Sequence, residues 1–184
     1  KNTLEVNCYK ELRIPGEENA WYVHDRPGLA NFQGYDIAMI PWITSETYSD
    51  TMNFIKNTSA QVAMGHLEIK GFEMHSGIVS DHGIEKTLFN NFDMVMSGHF
   101  HKRSSDGHIS YLGCPYEMNW SDSGDPKGFH TFDIKTRELE FIPNTRSMFH
   151  KLRYDDRTDT DYLGMDLSHF EGKFIKVFVE HRND

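Results

Sequence analysis

The 184 residues predict an α/β fold, and three observations carry that expectation. Short apolar runs recur at residues 35–40, 61–64 and 92–96, each closed by a turn signal. Helical spacing of apolar residues separates them. Two of the runs end in Gly-His, as strands do when they deliver side chains to the edge of a parallel sheet. The elements follow in order. Residues 21–23 and 30–32 are short β-rich stretches, and Gly34 turns the chain into the run Tyr35 to Ile40, which Pro41 ends. Ser45 or Thr44 is placed to cap a helix reaching about Asn57, with Tyr48, Met52 and Ile55 on one face. Gln61 to Met64 reads as the next strand, a helix near residues 84–91 follows, and Phe92 to Met96 forms a third strand. Residues 109–112, 128–134, 138–142 and 148–154 are β-like, the middle pair turning through Lys135-Thr136-Arg137, so a second sheet is expected. The polar, charge-dense stretch 155–161 marks a domain boundary. A short helical run to Phe170 and an alternating strand at 174–179 then begin something new.

Composition narrows the function. Nineteen Lys and Arg against 28 Asp and Glu give a formal charge of -9, so a polyanionic partner must be met by a local patch. The longest apolar run falls far short of the roughly 20 residues of a membrane helix, so the protein reads as soluble, with no membrane partner. Cys8 and Cys114 allow one bridge at most, which makes a reducing, cytoplasmic compartment the default. The chain opens at Lys1 without an initiator Met and stops just after a strand-like run, which reads as a fragment.

Eleven histidines mean little by number, since most histidines bind no metal. Position singles out three. In Ser97-Gly98-His99-Phe100-His101, residues two apart on an extended segment project the same way, so both imidazoles can face one centre while Phe100 turns inward. His66 ends another strand in Gly65-His66. Ligands of α/β sheets gather beyond the carboxyl ends of strands, where His66, His99 and His101 would meet. A lone His-x-His is weak evidence for metal, and Asp93, Glu68 and Asp106 read as solvated or capping groups rather than bridging ligands.

Gly65-His66, Ser97-Gly98-His99-Phe100-His101, Tyr111-Leu112-Gly113-Cys114-Pro115 and Asp125-Pro126-Lys127-Gly128-Phe129 resemble, in order and spacing, the later motifs of calcineurin-like metallophosphoesterases. Within them the chain is most similar to SbcD-type DNA repair nucleases and the recombination nucleases of large tailed phages, from about Asp36 to Tyr154. The resemblance implies an αββα four-layer sandwich of mixed sheets flanked by helices, with residues 1–154 the C-terminal part of the nuclease domain and 155–184 the start of a capping, DNA-binding domain. It implies two metal ions, usually manganese, with Mg, Zn or Ni as alternatives. His66 and His99 would ligate one ion and His101 the other. The family's Asp-x-His, Gly-Asp and Gly-Asn-His-Asp motifs, including the catalytic histidine, have no counterpart ahead of His66, which implies a site empty or partial here and a piece that is inactive. Further implications are DNA as substrate, an SMC-like ABC ATPase of the SbcC type as partner, and a homodimer in the intact protein.

Around the histidines, Lys102 and Arg103 are candidates for DNA phosphates, and His82, like His75, for a lid that reaches substrate. Tyr116, Met118 and Trp120 are candidates for site support or base stacking, with core packing the plainer role. Cys114 reads as a small buried residue. Two other functions compete with the nuclease: a phosphatase of small phosphoesters and a noncatalytic scaffold subunit whose histidines are remnants.

Overall fold

The computed structural model describes residues 22–75 and 77–182. Strands β1 (Gly28–Phe32) and β2 (Tyr35–Ile40) come first, then helix α1 (Tyr48–Asn57) and β3 (Val62–His66). Short strands β4 (Glu73–His75) and β5 (Ile78–Val79) precede a single 3-10 turn at Lys86–Phe89 and strand β6 (Met94–Gly98). Strands β7 (Ser104–Ser105), β8 (Ile109–Tyr111), β9 (Lys127–Phe132), β10 (Leu139–Asn144) and β11 (Phe149–Asp155) follow, then a 3-10 turn at Ser168–Phe170 and β12 (Phe174–His181). The fold is α/β with a mixed sheet and few helices. The chain divides into two compact units: residues up to Phe72 with Val79–His99 and Ser104–Tyr111, and Glu73–Ile78 with Phe100–Arg103 and Leu112–Asp184.

In the first unit a six-stranded sheet runs in the order β1-β2-β3-β6-β8-β7. The β1–β2 hairpin closes through Gln33 and Gly34, both at positive φ (53° and 89°), which gives the primed turn whose twist suits flanking strands. Asn31 secures it by accepting from the Gly34 N–H at 3.0 Å. From β2 onward β3, β6 and β8 pair in parallel, with Met39, Met64 and Met96 in register. Parallel strands are covered on both faces, and the sequence obliges. Ile37, Ala38, Ile40, Val62, Ala63, Val95, Met96 and Ile109 are buried. Met64, expected in the core, is half-buried. Helix α1 makes the β2-to-β3 crossover and buries Ile55 and Thr51, while Tyr48 at its start stays exposed.

Several boundaries differ from the sequence expectation. The first helix starts at Tyr48 because Thr44 and Thr47 are engaged with each other: the Thr44 N–H donates to Thr47 Oγ1 at 2.9 Å, and Thr47 N–H to the Thr44 carbonyl at 3.2 Å. The expected helix near 84–91 contracts to Lys86–Phe89. Ile84 bridges Ile69, its N–H donating to the Glu68 carbonyl at 2.8 Å, so it cannot begin a helix. Of the stretch 21–23, Trp21 lies outside the described residues, and Tyr22 and Val23 form no strand. Cys8 also lies outside them. Strands β4, β5 and β7 were not anticipated.

Outside the six-stranded sheet, among the described residues, β4 pairs with β5, and the second unit holds the ribbons β9–β10 and β11–β12. Strands β9 and β10 form an antiparallel pair around the turn 135–137, where Arg137 takes φ 62° and the Asp133 carboxylate accepts the N–H groups of Lys135 and Thr136. Strands β11 and β12 pair in parallel, Phe149 opposite Phe174. The strand at 174–181 thus adds to one that begins before the expected boundary at Asp155.

Candidate metal centre

Three neighbouring strands of the first unit end side by side: β2 leads through Pro41 to Trp42, β3 ends on His66, and His99 follows β6. The imidazoles of His66 and His99 lie 5.2 Å apart between ring centroids, at a steep 75° to each other. Trp42 packs against both, 5.7 Å from His66 and 4.8 Å from His99. The two rings that the resemblance assigns to one ion are therefore neighbours.

The backbone makes room for them. A Cβ on Gly98 would stand 3.1 Å from His66 Nδ1, so glycine ahead of His99 accommodates the other histidine's ring. A Cβ on Gly65 would lie 2.6 Å from the Ile40 carbonyl, so only glycine permits the close approach of β2 and β3 just before His66. His99 itself sits at φ 91°, a region L side chains avoid at a cost of about 1–3 kcal/mol, and such outliers cluster where function over-determines the backbone.

The chain after His66 is tied down by buried hydroxyls. Ser97 Oγ accepts the Leu67 N–H at 3.0 Å, and Tyr111 Oη accepts the Ile69 N–H at 2.9 Å while donating to the Leu67 carbonyl at 2.8 Å. Tyr111 is fully buried, and burial pushes its phenol up to about 12, so it remains a donor at every physiological pH. Partial burial first, and the neighbouring His99 second, hold His66 below the ordinary histidine value. A ring kept neutral near pH 7 is the form that ligates metal.

His101, the third expected ligand, belongs to the second unit. Its Nδ1 lies 3.1 and 3.2 Å from the two oxygens of Asp122, a buried carboxylate that the sequence reading missed. Lys127, 4% exposed, donates to Asp122 Oδ1 at 3.1 Å and to the His101 carbonyl at 3.0 Å. Burial opposes the Asp122 charge, yet the Met118 N–H, the Lys127 ammonium and the Asn119 N–H outweigh it, and the carboxyl lies below its usual range.

The remaining candidates are placed less suggestively. Lys102 pairs with Glu73 at 2.7 Å, Arg103 lies 4.2 Å over the Phe141 ring, and His82 is exposed beside Asp81. Trp120 packs edge-on to Phe149 at 5.0 Å, in keeping with a core role, whereas Tyr116 and Met118 are exposed. Asp106 accepts from Lys86 and from the N–H groups of His108 and Ile109, which makes it a turn residue. Of the missed residues, Lys127 had a signal, its place in the Pro-Lys-Gly-Phe segment, and Trp42 had one in following Pro41 at a strand end. Asp122, in a Ser- and Gly-rich loop, had none.

No family model matches the chain. Over 164 residues, 88% of this chain and 47% of the relative, it is 34% identical to exonuclease subunit 1 of Enterobacteria phage T4. It is 31% identical over 98 residues, 48% of this chain and 26% of the relative, to the D subunit of nuclease SbcCD from Staphylococcus saprophyticus. For the Staphylococcus epidermidis protein of the same name the figures are 28% over 116 residues, 53% of this chain and 31% of the relative. The chain thus spans about half the length of the phage relative and less of the other two. By this homology the chain is related to the phage exonuclease subunit and to the D subunits of SbcCD nucleases.

Proposed function

We propose that the chain is the histidine-bearing part of a metal-dependent DNA exonuclease and endonuclease of the SbcD type, which hydrolyses phosphodiester bonds in repair or recombination. The observation that carries this reading is the convergence of His66 and His99, 5.2 Å apart, at the carboxyl ends of adjacent parallel strands. His66 and His99 would hold one ion and His101 the other, with manganese the metal of choice. The donor set fits the nitrogen share of such a site. The oxygen donors that must bridge two ions have no counterpart ahead of His66, which supports the view that these 184 residues do not cleave DNA by themselves.

A divalent pair, when bound, supplies a water of lowered pKa and offsets charge on the phosphodiester oxygens. The chain's own contribution is placement. The Ser97 and Tyr111 hydroxyls fix the turn after His66, Trp42 covers one side of both rings, and burial keeps the His66 lone pair available. Arg103 and His82, both exposed, are the proposed phosphate contacts, and Lys102 would join them by exchanging its Glu73 partner for a phosphate. Residues 1–154 would then sit within the αββα nuclease sandwich and 155–184 open the capping domain. The partner subunit implied is an SMC-like ABC ATPase, with a homodimer of the intact protein acting in the cytoplasm. Among the described residues no helix is long and apolar enough to cross a membrane.

The test is a manganese-dependent assay on the full-length gene product with linear duplex DNA. Cleavage is expected, and His99→Ala should lower it by more than about 100-fold, since even partners of ligands cost 10–100-fold. Undiminished cleavage by His99→Ala would overturn the reading, and a full-length product that binds manganese but cleaves only small phosphoesters would replace it with the phosphatase.

A further inference from the structure

The second unit holds a polar cluster made of the half-buried His101 and the buried Cys114, Asp122 and Lys127. The donor atoms of the first three all lie within 4.8 Å of one another, a grouping that by composition alone looks like a metal site. Its hydrogen bonding says otherwise. Asp122 Oδ1 accepts from His101 Nδ1 and from the Lys127 ammonium, both at 3.1 Å. Oδ2 accepts from the N–H groups of Met118 at 2.9 Å and Asn119 at 3.0 Å. The carboxylate's lone pairs are spoken for, and a cation already occupies the place beside it. Cys114 Sγ donates to the His101 carbonyl at 3.6 Å, and burial foremost raises its thiol above the ordinary cysteine value.

The same bonds assign a proton. An ionised carboxylate only accepts, so the His101 nitrogen facing it must donate, and the neutral ring then carries its lone pair on Nε2. We infer that Asp122, anchored by Lys127 and two backbone N–H groups, is a positioning residue that locks His101 in the Nδ1–H tautomer and leaves Nε2 free to ligate. Lys127 serves twice, since its second bond, to the His101 carbonyl at 3.0 Å, fixes the backbone of the residue whose ring Asp122 fixes. Its ammonium also lies 3.9 Å from Asp125 Oδ2, so Asp122 shares the cation with a second, weaker partner. Carboxylates that orient ligating histidines in this manner raise ligand basicity and are felt 10–100-fold in metal affinity. That Nε2 meets a metal rests on the function proposed above; the tautomer does not.

The protein is prepared metal-free with 15N-labelled histidine, and long-range 1H–15N correlations are recorded at pH 8, with His101→Gln identifying the resonance. The wild type should show protonated Nδ1 and bare Nε2 at His101. Asp122→Asn, which turns an amide N–H toward the ring, should shift His101 toward the Nε2–H tautomer and weaken manganese binding about 10–100-fold. An Nε2–H tautomer in the wild type overturns the inference whether or not any variant folds. So would a cobalt–thiolate absorption band that Cys114→Ser abolishes, because it would place the metal inside the cluster. If the tautomer is as stated but manganese alone broadens His66 and His99 and spares His101, the lock stands and the role of His101 as ligand falls.

Discussion

His66 and His99 influence each other at a distance where charge matters. Two imidazolium ions with ring centroids 5.2 Å apart repel, so the first proton taken up by the pair suppresses the second. Partial burial foremost, and this repulsion second, hold His66 below the ordinary histidine value of about 6.5. An NMR titration of His66 in the metal-free protein should therefore show a midpoint below 6.5, and His99→Ala should move that midpoint upward without restoring it fully, since the burial remains. A midpoint that ignores His99→Ala would remove the coupling. The linkage sign follows. The unfolded chain takes up the His66 proton at higher pH than the folded one, so this residue destabilises the fold as pH falls through 6.5 toward its lowered value. The imidazole pair was legible in the sequence because a Gly-His ending an apolar run is a local pattern. The lock on His101 was not, because Asp122 lies 21 residues from its partner in a loop whose composition reads as solvated. Only folding reveals that it is buried.

At the level of elements, the sequence located the parallel strands, β2 residue for residue and β3 and β6 to within two residues at each end, since buried strands are continuous apolar runs and nothing local competes with that signal. The connections were read less well. The helix expected at 84–91 lost its first residues to the Ile69–Ile84 bridge, a pairing across 15 positions that no window of spacing detects. A comparable long-range tie holds the second unit's loop 115–126 to β11. Glu117, 4% exposed, accepts the N–H groups of Met148 at 2.6 Å and Phe149 at 2.8 Å through Oε2, and that of Gly124 at 3.2 Å through Oε1. Burial opposes its charge, but the three N–H groups prevail and hold the carboxyl below its usual range. Glu117→Ala leaves those three donors unpaired and should cost about 2–4 kcal/mol, at 1–3 kcal/mol per orphaned buried group with some recovered by water. Equilibrium urea unfolding measures it, and a loss under 1 kcal/mol would show that the loop is held by other means. The acid side follows the carboxylate sign. The stabilisation is present above about pH 4.3 and is lost as pH falls through the lowered folded value, a dependence that Glu117→Ala should flatten.

Across the whole molecule, the formal charge of -9 and the nuclease relationship point in opposite directions until they are resolved locally. On the function proposed above, net repulsion would slow the approach of DNA at long range, while exposed cations such as Arg103 would act within a Debye length of about 8 Å. The units also differ in how each strand is held. In the first, β3 and β6 have a hydrogen-bonded neighbour on both sides and buried side chains on both faces, so their amides open only when much of the sheet does. In the second, β12 has β11 as its one partner among the described residues and leaves Phe174, Val177 and Val179 exposed, and a two-stranded ribbon is marginal alone. Native-state hydrogen exchange should therefore rank the amides. Those of Val62 to Met64 and Val95 to Ser97 should be the slowest, and those of Lys176 to Val179 should exchange faster by about 1000-fold or more, corresponding to a local opening about 4 kcal/mol easier. Equal protection in β12 and β6 would mean that another surface covers the ribbon in solution. That result would make 174–181 part of a sheet or an interface larger than the pair it forms with β11.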